Sequence, residues 1–190
     1  MVSIKIDQEM VQRCLNFANT IILTNNQFRR IDDTIEQRIE RTFVGKLAEL
    51  AFLELLHQNN IEYPEGDMFT IYQGENNVDH FDFITNNGFT VDVKSASKPF
   101  HSRIMIPIDQ FNRIPKHFYV GVKLNGTVSN DKILTNTITR AEIYGYCTYQ
   151  ALQQTPTENY GALDCKAINL NNLHPIKYLL QLFQADGSEH

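Results

Sequence analysis

The sequence predicts an α/β fold in the α+β sense, a central mixed sheet flanked by helices, and three observations carry that prediction. The first is a pair of segments, His80–Ile84 and Phe89–Lys94, that alternate apolar with polar residues around Asn86-Asn87-Gly88. Period-2 alternation marks half-buried strands, and an Asn-Gly turn supplies the positive φ of a tight hairpin. The second is a long helical stretch before them that is apolar nearly all round. The third is a nearly continuous apolar run after them, His117-Phe118-Tyr119-Val120-Gly121-Val122-Lys123, which reads as a central strand.

In chain order, residues from about Asp7 to Leu23 form a helix with Met10, Val11, Cys14, Leu15, Ala18 and Ile22 on one stripe. Asn25-Asn26 breaks it. A second helix is expected from about Asp32 to His57, with Asp32-Asp33-Thr34 at its positive end. Its second half, Leu47 to Leu56, is expected to be buried. Glu49 and Glu54 interrupt that run and lie about 140° apart on the helical wheel, so one reaches solvent while the other is drawn inward. Gly45, one turn before Glu49, leaves a gap on the same face.

Within the hairpin, Phe81 and Phe83 share one face, as do Phe89, Val91 and Val93; Asp92 and Lys94 share the other. A three-residue loop with Gly88 in the left-handed position pairs Asp82 with Asp92 and Ile84 with Thr90. A two-residue loop would set Phe81 and Phe83 beside Asp92 and Lys94. The same parity disfavours Asp79. Two carboxylates placed this closely repel unless a cation lies between them. Beyond the hairpin, Ile104–Ile106 suggests a short strand and Asp109–Phe111 a short helix or turn. A strand is expected within Ile133–Tyr146, a helix at Thr148–Gln153, a loop from Gln154 to Gly161, a strand at Cys165–Leu170 and a closing helix from Leu173 to Phe183.

A chain of 190 residues, 42% of them apolar, suits one domain with a real core: a helical region to about residue 58 and a sheet core from about residue 59. No apolar run reaches the roughly 20 residues of a membrane span, and the N-terminus lacks the pattern of a signal peptide. Cys14, Cys147 and Cys165 show no ligand spacing, which points to a reduced, cytoplasmic protein without structural zinc. Net charge is −5, yet it is unevenly spread. Glu62 to Asp92 holds seven acids and no Lys or Arg. Lys94 to Lys123 holds six bases against the single acid Asp109. An acidic patch suited to metal adjoins a basic stretch suited to phosphates.

Asp82 followed by Asp92-Val93-Lys94 resembles the PD-(D/E)XK nuclease superfamily, the restriction-endonuclease-like fold, although Phe81 stands where the family's Pro is usual. The resemblance implies the αβββαβ core order and a Mg²⁺-dependent DNA endonuclease, such as a small type II restriction or phage-defence nuclease. It places one or two Mg²⁺ ions, replaceable by Mn²⁺, on Asp82, Asp92 and Glu49, with the Val93 carbonyl as a further ligand. Gly45-Lys46-Leu47-Ala48-Glu49 is similar to the family's helix pattern. Lys94 orients or deprotonates the water, or stabilises charge on the phosphate. Ser95, Ser97, Lys98, Arg103 and Lys116 are the expected DNA contacts. Double-stranded DNA as substrate and a homodimer, because two strands need two sites, complete the expectation. A junction-resolvase-like repair nuclease and a non-catalytic binding module of the same fold are the competing readings. His80 is a surface or metal-supporting residue on the face of Asp82. His101 and His117 carry no ligand argument, and Tyr144, Tyr146 and Tyr149 read as packing.

Overall fold

The computed structural model describes residues 1–25, 34–66, 68–71, 81–161 and 163–184. The chain opens with strand β1 (Val2–Lys5), which the sequence pattern had not suggested, and helix α1 (Gln8–Asn25). Helix α2 (Ile35–Gln58) follows; Thr34 and Gln37 close a capping box at its start, each side chain bonding the other's backbone N–H. The expected helix-starting acids Asp32 and Asp33 lie outside the described residues, as do Asp79 and His80. Next come β2 (Phe83–Ile84), β3 (Thr90–Ala96), β4 (Arg103–Pro107), α3 (Ile108–Arg113) and β5 (Phe118–Asn125). A small hairpin, β6 (Val128–Ser129) with β7 (Lys132–Ile133), leads to β8 (Arg140–Thr148) and α4 (Tyr149–Gln153). Strands β9 (Thr157–Tyr160) and β10 (Leu163–Asn169) and helix α5 (Ile176–Gln184) end the fold.

Five strands form the main sheet in the order β1-β8-β5-β3-β2. β3 and β5 run parallel and the other pairs antiparallel, so the sheet is mixed. Its inner face meets α1, α2 and α5 in one apolar core that includes Val11, Cys14, Leu47, Phe52, Phe83, Val91, Val93, Val120 and Leu179. The expected burial of the second half of α2 holds: Leu47, Ala48, Leu50 to Leu53, Leu55 and Leu56 are all buried. Among the described residues, no helix is long and apolar enough to cross a membrane.

Two parallel neighbours require a crossover, and the chain makes it through β4 and α3 over the opposite face of the sheet. The chain order α2-β2-β3-β4-α3-β5 is the expected αβββαβ, but the strand pairing departs from one central sheet. β4 does not join β3; it pairs with β10, which pairs with β9, in a second, three-stranded sheet. The reason is the ladder itself, since β3 already bonds β2 on one edge and β5 on the other. The stretch Gln154–Gly161, expected as a loop, supplies β9. A second cluster of Ala96, Ile104, Ile106, Phe111, Tyr119, Cys147, Leu152 and Leu170 joins the two sheets. All three cysteines are buried and free. Burial pushes the Cys14 and Cys147 thiols up to about 12, so neither is a reactive thiolate.

Candidate active site

The hairpin has the expected register. Phe83 lies opposite Val91 and Ile84 opposite Thr90, around a three-residue loop with Gly88 at φ +78°. Thr85 closes that loop, accepting the Gly88 N–H on its carbonyl (2.9 Å) and the Phe89 N–H on Oγ1 (3.0 Å). Phe83 anchors the short strand from below, its ring edge-on to Phe52 (4.9 Å) and tilted against Tyr63 (5.2 Å). The Tyr63 hydroxyl accepts the Ile84 N–H (2.9 Å), and Asn86 donates to the Phe183 carbonyl (2.8 Å). The strand that carries Asp82 into place is therefore tied to α2 and α5.

Strand β3 buries Val91 and Val93 and presents Asp92 and Lys94 to the other side. The Lys94 Nζ lies 2.6 Å from Asp92 Oδ2, with side chains 21% and 16% exposed. That oxygen is enclosed and meets Lys94 as an ion pair, with no hydrogen bond to it among the described residues. Asp82 behaves differently from a simple cross-strand partner. Its N–H donates to the Val91 carbonyl (3.1 Å), and its Oδ2 accepts the Val93 N–H (2.7 Å). The side chain thus takes the position of the next ladder bond, at the edge where β2 stops. By the same parity the Val93 carbonyl points toward that edge.

Glu49 approaches from α2. Its Oε2 accepts from Lys46 Nζ (2.6 Å), and both side chains are largely enclosed, 15% and 11% exposed. Glu54 is half-buried and accepts from Gln58 on the surface (3.0 Å), so Glu49 is the inward-facing acid of the two. Burial holds the Asp82 carboxyl well above the usual carboxylate range, and Glu49 and then Asp92 push it further. Lys94 and the Val93 N–H pull it back. Glu49 from α2 and Asp92 from β3 thus both act on Asp82, with Lys94, Lys46 and Lys116 as the cations nearest these acids.

The expected DNA contacts are not gathered in the same way. Ser95 and Ser97 follow Lys94 and are half-buried. Lys98 pairs with Asp131 (2.7 Å). Arg103, on the second sheet, pairs with Glu158 (2.7 Å) and Tyr160 Oη (3.0 Å). Lys116 is 9% exposed and donates to the Ile114 carbonyl (2.7 Å). Burial lowers its pKa, against the attraction of Asp92. Its own N–H donates to Tyr119 Oη (3.2 Å), and Tyr119 is the register neighbour of Asp92 on β5. Lys116 therefore lies beneath the cluster. Lys46 is the residue that sequence reasoning missed, although its i,i+3 spacing to Glu49 was a readable signal.

A hard cation takes carboxylate and carbonyl oxygens, and Asp82, Asp92, Glu49 and Val93 are donors of that type. The enclosed Asp92 Oδ2 already faces the Lys94 ammonium at 2.6 Å, so an ion bound there would share that oxygen with Lys94. Among the described residues, however, no three His, Cys, Asp or Glu side chains close into a ready-made cage. The residues fit a hard cation in donor chemistry, though not as a preformed cage. In comparison with known proteins, no family model, curated protein or solved structure matches this chain.

One expected result follows from Asp82 alone. Its proton is held more tightly in the folded chain than in the unfolded one. In EDTA, its contribution to stability is therefore lost as pH rises from the ordinary carboxylate range through the raised folded value. Asp82→Asn keeps an acceptor for the Val93 N–H without the charge. The variant should melt higher than the parent at neutral pH, with the difference vanishing below about pH 4, the ordinary carboxylate pKa. Equal melting at neutral pH would show that Lys94 already compensates the charge.

Proposed function

We propose that this protein is a divalent-cation-dependent nuclease of the restriction-endonuclease-like kind, hydrolysing phosphodiester bonds in double-stranded DNA. The observation that carries the reading is the convergence of Asp82 with the Asp92–Lys94 pair at the edge of β3 just beyond β2, where Glu49 also acts on Asp82. An edge where a strand ends gives a phosphate access, while the core beneath fixes the acids in place.

Asp82, Asp92, Glu49 and the Val93 carbonyl would hold Mg²⁺, which would supply neutralisation of phosphate charge and a more acidic water. The chain's own residues do the rest. Asp82, fixed by the Val93 N–H, would offer its other oxygen to the ion. Lys94, two residues beyond Asp92 on the same face, orients or deprotonates the water, or stabilises charge on the phosphate. Lys46 holds Glu49, and Lys116 offsets Asp92 from below. Ser95 alternates with Lys94 on β3 and faces the other way, so it and Ser97 would meet phosphate oxygens only where the nucleic acid wraps past the end of the strand. Two such sites in a homodimer would cut both strands.

Genomic DNA contains every short sequence, so it is the substrate of choice. Incubation with Mg²⁺ or Mn²⁺ should shorten it, and EDTA should prevent this. Intact DNA with either ion, at protein concentrations in excess over DNA ends, would remove the reading.

A further inference from the structure

A second polar feature lies at the far end of the main sheet. Lys5 on β1, Arg140 on β8 and Asn125 on β5 are mutual register neighbours, Lys5 opposite Arg140 and Arg140 opposite Asn125. Cross-strand neighbours share a face. The adjacent row, Ile4, Ala141 and Leu124, is buried in the core, so Lys5, Arg140 and Asn125 stand on the outer face. They line an open cleft of about 500 Å³ together with Ser3 and Thr139.

Every lining side chain offers a hydrogen-bond donor, and none is a carboxylate. The nearest acid, Glu142, lies 3.3 Å from Arg140, but its side chain is 15% exposed against 56% for the arginine. Its neighbour across the strands is Lys123, whose ammonium is held by the carbonyls of Lys98 (2.7 Å), Pro99 (3.1 Å) and His101 (2.5 Å). Glu142 shares the outer face and an ion pair with Arg140, and its lower exposure leaves the guanidinium as the more solvent-facing member of that pair. Asn125 Nδ2 is enclosed and has no acceptor among the described residues, so a small turn of its side chain toward the cleft would give it one in a ligand oxygen. A planar guanidinium fork, an ammonium and neutral donors around one cleft match the several oxygens of a phosphate.

We propose that this cleft is an oxyanion site for a phosphate group, with Lys5 and Arg140 as charge partners and Asn125, Ser3 and Thr139 as neutral donors. It stands independently of the nuclease reading. Asp92 is level with Tyr119 on β5, and Asn125 is six residues further along, roughly 20 Å at the rise of a strand. Between them Ile104, Leu170 and Leu173 close over Gly121, so the cleft is not an extension of the candidate active site. The phosphate comes either from a small free ligand or from a nucleic-acid backbone.

Calorimetric titration separates these sources when run throughout in EDTA, where the carboxylate cluster repels anions. The probes are inorganic pyrophosphate and a short duplex oligonucleotide. Pyrophosphate binding that weakens at least about tenfold, or about 1.4 kcal/mol, in a Lys5→Gln/Arg140→Gln variant identifies a free phosphorylated ligand. Oligonucleotide binding with that same loss, and no pyrophosphate binding, identifies a backbone phosphate. Asn125→Asp, which preserves shape and adds a repelling charge, should reduce whichever binding is found. Binding of neither probe, or binding undiminished in both variants, overturns the site.

Discussion

Asp92→Ala is expected to abolish Mg²⁺-dependent DNA cleavage while leaving the fold standing. Asp92 contributes a carboxylate whose Oδ2 is enclosed, pairs with Lys94 and acts on Asp82. Its removal takes away the partner that positions Lys94 and, on the proposed function, a cation ligand. Losing one preorganised electrostatic group costs about 10²–10³ in rate, and losing two functions together should bring cleavage below detection. Stability in EDTA responds in the opposite sense. Asp82 is relieved of one repelling neighbour, and Lys94 still feels Asp82. Melting should therefore stay level or rise slightly. Cleavage gels and thermal melts on the same preparation check both halves. An unfolded variant would make Asp92 a structural counter-ion of Lys94 and Lys116, and the nuclease reading would lose its main support.

Gly145→Ala is expected to be the most damaging single change away from the acids. Strands β5 and β8 share a bulge, Gly121 opposing Gly145 and Val122 opposing Ile143, so that Tyr144 is passed over. Gly145 has φ +155°, and a Cβ there would overlap the carbonyl oxygen of His174 and approach Leu173 Cβ to 3.1 Å. That His174 carbonyl accepts the Tyr146 N–H (3.0 Å), and the His174 N–H donates to the Tyr146 carbonyl (2.8 Å). Relief requires the segment before α5 to move away and release both bonds. Two hydrogen bonds at about 1 kcal/mol each, with backbone strain of similar size, give a loss of about 3 kcal/mol. At this chain length the melting temperature should fall by about 10 °C. A change of less than about 2 °C would mean that the segment is loosely held.

The elements readable from sequence are those whose signals are local. β3 alternates because one face meets the core, and Gly88 stands where a three-residue loop needs positive φ. The second half of α2 is apolar all round because α1 and the sheet enclose it. Hairpin parity was enough to put Asp92 and Lys94 together, and the helical wheel to separate Glu49 from Glu54. Nothing local says that β4 will leave the main sheet, because that depends on β5 having taken the free edge of β3. The same holds for Asp82, whose side chain bonds the Val93 N–H only because β2 stops at Phe83. Lys116 reads as a surface cation until packing against Tyr119 buries it beside Asp92. Lys5, Asn125 and Arg140 are separated by up to 135 positions in the chain and become neighbours only through strand pairing. Periodicity records which face a residue turns to the core, whereas the identity of its neighbours is set by long-range hydrogen-bond ladders that no short window of sequence contains.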